Sequence, residues 1–233
     1  MIKTILLFYL IYFIWLNLPI IYFHRCLAHG QVKFSPILIY LVKIINWTKF
    51  SNYNQYREKV YAAAHILHHR YSDTEKDPHS PLFYSHWHIA FNLTFPMNET
   101  EVNKLTPHCE FNRTRLDDFL EQYSCGRLVL LIILFLIFSY KGVILWVLLL
   151  SVRVVEAYFN AITHSCIGYT NYKNNKDRSR NILPIGIFYC GEELHNNHHS
   201  NPAKHNLAVK WYEFDTGYWL LRLLALVKLV KFN

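Results

Sequence analysis

The chain has 233 residues, 52% of them apolar and only 17% charged, with 24 Lys and Arg against 16 Asp and Glu for a formal net charge of +8. Nineteen residues from Ile5 to Phe23 carry no charge, and the twenty-five from Leu128 to Val152 are interrupted only by Lys141. Runs of that length exclude a water-soluble domain; the scattered glycines and prolines exclude collagen-like or low-complexity chains, and 17% aromatic residues exclude disorder.

Taken in chain order, residues 5–23 read as a retained membrane anchor, because no A-x-A-like cleavage site precedes His24. The run Phe34 to Trp47 contains Lys43 and reaches about 21 Å, short of a hydrocarbon core of about 30 Å. An interfacial or re-entrant segment is expected over about 34–50. The long run after residue 119 is expected to be a helical hairpin, about 119–164, with arms 119–139 and 143–164. Its turn falls at Ser139-Tyr140-Lys141-Gly142, where polar residues and a glycine interrupt the apolar pattern. The remainder, 165–233, is expected to form a histidine-bearing cytosolic region. It would end in an interfacial amphipathic helix over 220–232 that carries Arg222, Lys228 and Lys231. The expected fold is all-α, a single domain over 1–233: an integral membrane helical protein with a cytosolic helical cap.

The hairpin follows from a requirement that the histidine groups share one membrane face. Arg25, Lys33, Arg57, Lys59 and Arg70, then Lys173, Lys176, Arg178, Arg180, Lys204 and Lys210, lie on that face, which the positive-inside rule makes cytosolic. The Asn-x-Ser/Thr triplets at Asn46, Asn92, Asn98 and Asn112 are then expected to carry no glycan. Cys26, Cys109, Cys125, Cys166 and Cys190 are dispersed, with no Cys-x-x-Cys pair, and read as reduced thiols.

Fourteen histidines are the compositional anomaly. His65, His68 and His69 form one H-x-x-H-H, and His195, His198 and His199 form a second; on a helix each trio shares a face and projects together. Asn160 and His164 share a face at a spacing of four. His24 and His29 are five apart, which an ideal α-helix would splay by about 140°, so that helix is expected to end or unwind there. Nine histidines and an asparagine exceed the needs of one ion and point to a pair of metals, with iron, zinc, copper and nickel all compatible with imidazole. Asp73, Asp77, Asp177 and Glu192 stand close by as candidates to orient the rings. His79, His86, His88, His108 and His205 read as ordinary surface or core residues.

These motifs, in this order, resemble the membrane fatty acyl desaturases of the Δ9 acyl-CoA desaturase type. The resemblance runs through His24-Arg25-Cys26-Leu27-Ala28-His29, His65 to His69, Tyr71 to Pro81, Ser85-His86, Asn160 to His164, Gly168-Tyr169, Asp177 to Asn181, Gly191-Glu192, His195 to His199, Trp211 and Asp215, and covers nearly the whole chain. It implies a non-haem di-iron centre with His24, His29, His65, His68, His69, His164, His195, His198 and His199 as ligands. Asn160 matches an asparagine that approaches one iron through water. The implied reaction uses O2 and two externally supplied electrons to form a cis double bond in a long-chain acyl substrate.

Some positions depart from that pattern. Only 23 residues precede His24, so one span of the family's usual two is expected to be missing. Gln55 matches a tunnel glutamine, whereas Ile66, Tyr61, Glu156 and Ala157 replace an arginine, a tryptophan, a small hydroxylated residue and a second tryptophan. A buried Glu156 would need Arg153 as partner or a proton.

Two other readings use the same histidines: a di-iron lipid hydroxylase, and a metal-binding or transport protein, although transport ligands normally face a midplane cavity. The chain has no flavin or nicotinamide fingerprint, no c-type haem attachment and no iron–sulfur spacing. An external electron carrier such as a b-type cytochrome or ferredoxin is therefore expected, drawn by the +8 charge that would equally attract anionic lipid headgroups. No nucleic-acid partner is expected.

Overall fold

In the computed structural model the described residues are 2–49, 53–85, 87–88, 97–107, 113–173 and 176–233, without the side chains of Gln55, Arg153 and Ala157. His86, His108, Cys109, Asn92 and Asn112 lie outside them. The protein is predominantly helical. Helix α1 (Ile2–Ile21) runs without a break into a π-helical turn, Tyr22–Ala28, giving a continuous apolar helix of 27 residues. Its first half is largely exposed, whereas Trp15 to Ile21 are buried. This division suits a helix that enters lipid at one end and the folded body at the other.

Strand β1 (Val32–Phe34) leads to α2 (Pro36–Lys49), with proline at the first helical position, where its missing N–H costs nothing. At 14 residues α2 is about 21 Å long and does not span. Leu38, Val42 and Ile45 face inward while Ile37, Leu41 and Ile44 are exposed. Lys43 is buried against Asp117 at 2.7 Å rather than facing water. Helix α3 (Gln55–Tyr71) is capped by the Asn54 side chain, which accepts from the Tyr56 N–H. Short helices α4 (Glu99–Leu105) and α5 (Arg115–Gln122) both start with capping boxes, from Asn98 and Glu101 and from Thr114 and Asp117.

The hairpin forms from α6 (Gly126–Phe138) against α7 (Tyr140–Leu150) and α8 (Val152–Thr163). Its turn is Ser139, whose φ of 55° reverses the chain. The close approach there needs Gly142, since a Cβ would lie 2.0 Å from the Leu134 carbonyl oxygen. The first arm differs from the expected 119–139. Residues 119–122 belong to α5, which meets α6 at 88°. The bend seats Gly126 on the Trp47 backbone, where a Cβ would lie 2.3 Å from the Trp47 oxygen. Among the described residues two helices, Ile2–Ala28 and Tyr140–Thr163, are long and apolar enough to cross a membrane, and α5 with α6 would make a third if the bent pair counts as one span.

Helix α9 (His195–Ser200) and helix α10 (Thr216–Leu226), the latter capped by the Asp215 side chain, follow the hairpin. The amphipathic helix expected over 220–232 is shorter at its end. Lys228, at φ 58°, turns the chain into strand β2 (Val230–Phe232). That strand pairs antiparallel with β1 in the register Val32–Phe232, Lys33–Lys231 and Phe34–Val230. An all-α fold therefore needs amending by one two-stranded sheet. The alternation of Val-Lys-Phe in both strands turns Val32, Phe34 and Val230 inward.

Candidate metal centre

Nitrogen atoms of nine histidines converge in two adjoining groups: His24, His29, His65, His69 and His198 in one, and His68, His164, His195 and His199 in the other. Within each group the potential ligand atoms lie within 4.8 Å of one another. The first group depends on the π-helical turn. The His29 N–H bonds the His24 carbonyl at 3.1 Å, an i to i+5 contact. Widening the turn in this way returns residues five apart to one face, and the two rings lie 4.8 Å apart.

The two H-x-x-H-H segments exchange ligands reciprocally. From α3, His65 and His69 join the first group while His68 joins the second; from α9, His195 and His199 join the second while His198 joins the first. The trio on each helix does share a broad face, but the 100° between adjacent residues directs one ring to the neighbouring group. His164 caps α8 and completes the second group. The groups adjoin through His69 and His199, with ring centroids 4.4 Å apart.

Four acids meet the far nitrogens of these rings. Both carboxylate oxygens of Asp77 lie 2.9 Å from His68 Nδ1, Asp177 accepts from His199 Nδ1 at 2.9 Å, and Asp73 accepts from His164 Nδ1 at 3.1 Å. Glu192 Oε2 lies 2.8 Å from His24 Nδ1. Backbone N–H groups hold the acids in turn: Asp73 and His79 donate to Asp77, Arg178 to Asp73, and Ser179 to Asp177. Burial pushes Asp73 upward, but the His164 hydrogen bond and charge outweigh it and leave the acid below its ordinary range. At Glu192 burial likewise pushes upward, but the contacts with His24 and the Arg25 guanidinium outweigh it and leave the acid below its ordinary range. At Asp77 burial dominates and the acid is raised. His65, His68, His69, His195, His198 and His199 are driven well below the usual imidazole range, first by burial and then by one another. They are neutral, the form in which imidazole binds metal.

These contacts test whether the residues fit a metal. His68 and His199 each commit the Nδ1 proton to an aspartate, so both Nε2 atoms are bare lone pairs; yet they face each other at 3.3 Å. Two facing lone pairs repel, and a shared cation reconciles them. In the first group the Nε2–Nε2 contacts are 2.8 Å for His69–His198, 2.9 Å for His24–His198, and 3.0 Å for His29–His65 and His65–His69. An ion about 2.1 Å from each nitrogen would set right-angled neighbours about 3.0 Å apart and tetrahedral ones about 3.4 Å apart. The spacing and the five donors fit an ion with more than four ligands. The Nδ1 atoms of His195 and His198 are buried without a hydrogen-bond partner.

Other residues singled out by sequence lie around this centre. Asn160 donates Nδ2 to the His79 carbonyl at 3.1 Å, tying α8 to the loop of Asp73 and Asp77, and the His79 ring lies 6.1 Å from that of His68. Tyr61 stacks on His65 at 6.1 Å with planes 2° apart. Gln55 opens α3. Glu156 pairs with Lys49, because the end of α2 brings the lysine to α8; the Arg153 side chain expected as its partner lies outside what is described.

Sequence reasoning used Arg25 only for the positive-inside bias and as part of the first histidine motif, with no role at the site; the residue is fully buried. Its guanidinium donates to both oxygens of Asp215 at 3.0 and 3.1 Å, to Glu192 at 3.3 Å, and to the Cys190 and His205 carbonyls. It thereby locks the π-helical turn to the C-terminal region. A charge immediately after the first histidine, at the end of an apolar run, was the available signal. Asn197 was missed as well; it joins α9 to Glu213, Asn181 and the Leu207 carbonyl.

Residues 3–226 match the fatty acid desaturase family. The chain is 27% identical over 217 residues to the sn-1 stearoyl-lipid 9-desaturase of Synechocystis sp., covering 90% of this chain and 64% of the relative. It is 27% identical over 221 residues to Delta-9 acyl-lipid desaturase 1 of Arabidopsis thaliana, covering 89% and 67%. It is also similar to the icosanoyl-CoA 5-desaturase of Limnanthes douglasii, 26% identical over 215 residues, covering 89% and 58%. The chain thus spans about two thirds or less of the length of these relatives. With a family match across almost its whole extent, and with nine of its fourteen histidines gathered in two groups, the chain belongs to the fatty acid desaturase family.

Proposed function

We propose that the protein is an O2-dependent fatty acyl desaturase that places a cis double bond, of the Δ9 type, in a long-chain acyl substrate. The observation that carries this reading is the pair of bare, facing Nε2 atoms of His68 and His199, each ring held by an aspartate. The proposed ligands are His24, His29, His65, His69 and His198 for one iron and His68, His164, His195 and His199 for the other, with Asn160 near the second. Iron held there would activate O2 with two electrons from an external donor, the oxidising power that an unactivated C–H bond requires. The overall change takes two hydrogens from adjacent carbons and, with two further protons, reduces O2 to two waters.

The chain's own residues prepare that chemistry. Asp77, Asp73, Asp177 and Glu192 fix the ring tautomers and raise ligand basicity. Burial keeps the imidazoles neutral and limits water. Tyr61, Gln55 and Glu156 are proposed to line the acyl path. The proposed arrangement is a single domain with the histidines on the cytosolic face, where the basic surface would receive a b-type cytochrome or ferredoxin.

Two of the relatives above are named for lipid-linked acyl groups and one for a coenzyme A thioester. Expression in a desaturase-deficient host, with gas chromatography of each lipid class, separates these carriers and locates the double bond. A monounsaturated product that H68A lacks supports the proposal. Hydroxylated product would replace desaturation by hydroxylation, and no product with both irons bound would overturn it.

A further inference from the structure

The segment 183–189, Leu-Pro-Ile-Gly-Ile-Phe-Tyr, is an apolar loop between the metal-site elements. Ile185 and Phe188 are 46% and 56% exposed, and Leu183 and Ile187 are exposed too. A surface loop in water ordinarily carries polar side chains and lets water satisfy its backbone. Here the side chains turned outward are apolar, and the carbonyls from Gly186 to Tyr189 are all met from within. The Pro184 carbonyl accepts from the Phe214 N–H at 2.7 Å, and the Gly186 N–H donates to the Phe214 carbonyl at 2.8 Å. Thr216 donates to the Gly186 carbonyl. Glu193 Oε1 accepts the N–H groups of Phe188 and Tyr189, each at 2.8 Å.

The Tyr189 carbonyl accepts from the Glu192 N–H at 3.1 Å, and the carbonyls of Ile187 and Phe188 are met by polar side chains of the first apolar helix. Tyr9 donates to the Ile187 carbonyl at 3.0 Å, and Asn17 donates to the Phe188 carbonyl at 3.3 Å. Asn17 lies seven residues before His24, about 10 Å along the helix at 1.5 Å per residue, and Tyr9 about 12 Å further. On the other side Tyr189 stacks on Phe159 of α8, with ring centroids 4.3 Å apart. The loop therefore runs between two helices that are apolar and long enough to cross a membrane. It is also continuous with the exposed Tyr9, Leu10 and Ile14 of α1.

We infer that residues 183–189 lie within the bilayer, with Ile185, Ile187 and Phe188 against lipid acyl chains and with Tyr9 and Asn17 supplying the hydrogen bonds that water cannot. Non-helical backbone at membrane depth is stable only when its polar groups are met by protein, since each orphan costs several kcal/mol. The carbonyls from Gly186 to Tyr189 meet that condition, and the outward side chains of the loop match the occupant. A stretch that the sequence assigns to the cytosolic region is in this way a wedge of the membrane domain.

The test needs neither metal nor turnover. The photoreactive residue p-benzoylphenylalanine replaces Phe188, or Ile185 in a second variant, in full-length protein in phosphatidylcholine–phosphatidylglycerol nanodiscs. Leu136 on α6, 76% exposed, is the lipid-facing control and Lys204 the water-facing one. Mass spectrometry after irradiation should find phospholipid adducts at 188, 185 and 136, and at least tenfold less at 204. Adducts at 136 but none at 188 and 185, or protein–protein adducts alone at the loop, would overturn the inference. Absence of lipid adducts at 136 as well would remove both the wedge and the membrane placement of α6.

Discussion

Replacing Glu192 with glutamine removes one negative charge from the buried junction of His24 and Arg25 while leaving shape and hydrogen-bonding atoms in place. Arg25 retains both oxygens of Asp215 and two carbonyls, so its charge stays compensated. The loss therefore falls on His24, whose ring lies 2.8 Å from the carboxylate. Weakening such a carboxylate–histidine contact typically costs about 10- to 100-fold in metal affinity, or about 1.4–2.7 kcal/mol at 1.36 kcal/mol per tenfold step. Replacing Arg25 with methionine acts differently, because it leaves Asp215 and Glu192 buried without their cation, a disruption worth about 3–5 kcal/mol of folding stability. Chelator competition on the purified protein measures the first effect, and thermal unfolding of the metal-free protein measures the second. The reasoning fails if E192Q binds metal within about twofold of the unmodified protein, or if it loses as much metal-free stability as R25M.

H68A should lower bound iron from two toward one per chain and abolish unsaturated product, with membrane insertion unchanged; metal analysis beside gas chromatography checks this. In G142A the added methyl would meet the Leu134 carbonyl at 2.0 Å, so the hairpin must open at a cost of about 1–3 kcal/mol, read as a lower unfolding temperature. Glu58 is pushed up from 4.5 to about 8, mainly by burial, with Lys43 opposing and Asp117 reinforcing. The native state then binds an extra proton between those values. Stability should fall as pH rises from about 4.5 to 8, and E58Q should flatten that slope in unfolding curves. A protease site inserted at Lys173 should be cut only from the cytosolic side in sealed vesicles, whereas glycan on Asn98 would reverse that orientation.

What the sequence made legible was governed by local pattern. The uncharged run before His24 marked α1, the short Phe34–Trp47 run marked α2, and the Ser139–Gly142 interruption marked the hairpin turn. Periodicity brought each H-x-x-H-H trio to one helix face, yet it says nothing of two neighbouring ions, so the reciprocal division of the trios depends on tertiary packing. The pairing of Val32–Phe34 with Val230–Phe232 joins the two ends of the chain, and three residues in each strand leave no signal that a window can detect. The 88° bend before α6 arises from contact with Trp47, far away in sequence. Glu156 drew attention as an anomalous charge, but its partner Lys49 could be found only once α2 lay against α8.

The widened turn at Tyr22–Ala28 also sets the rotational phase of everything before it. A spacing of four in a regular helix would aim both imidazoles the same way, so excising one residue between His24 and His29 could spare the ligands. The upstream helix would then swivel by about 100° and shift by about 1.5 Å. Tyr9 and Asn17 would swing off the Ile187 and Phe188 carbonyls they now reach. One surplus amino acid thus acts as the gear that keeps the first helix and the histidine centre in step.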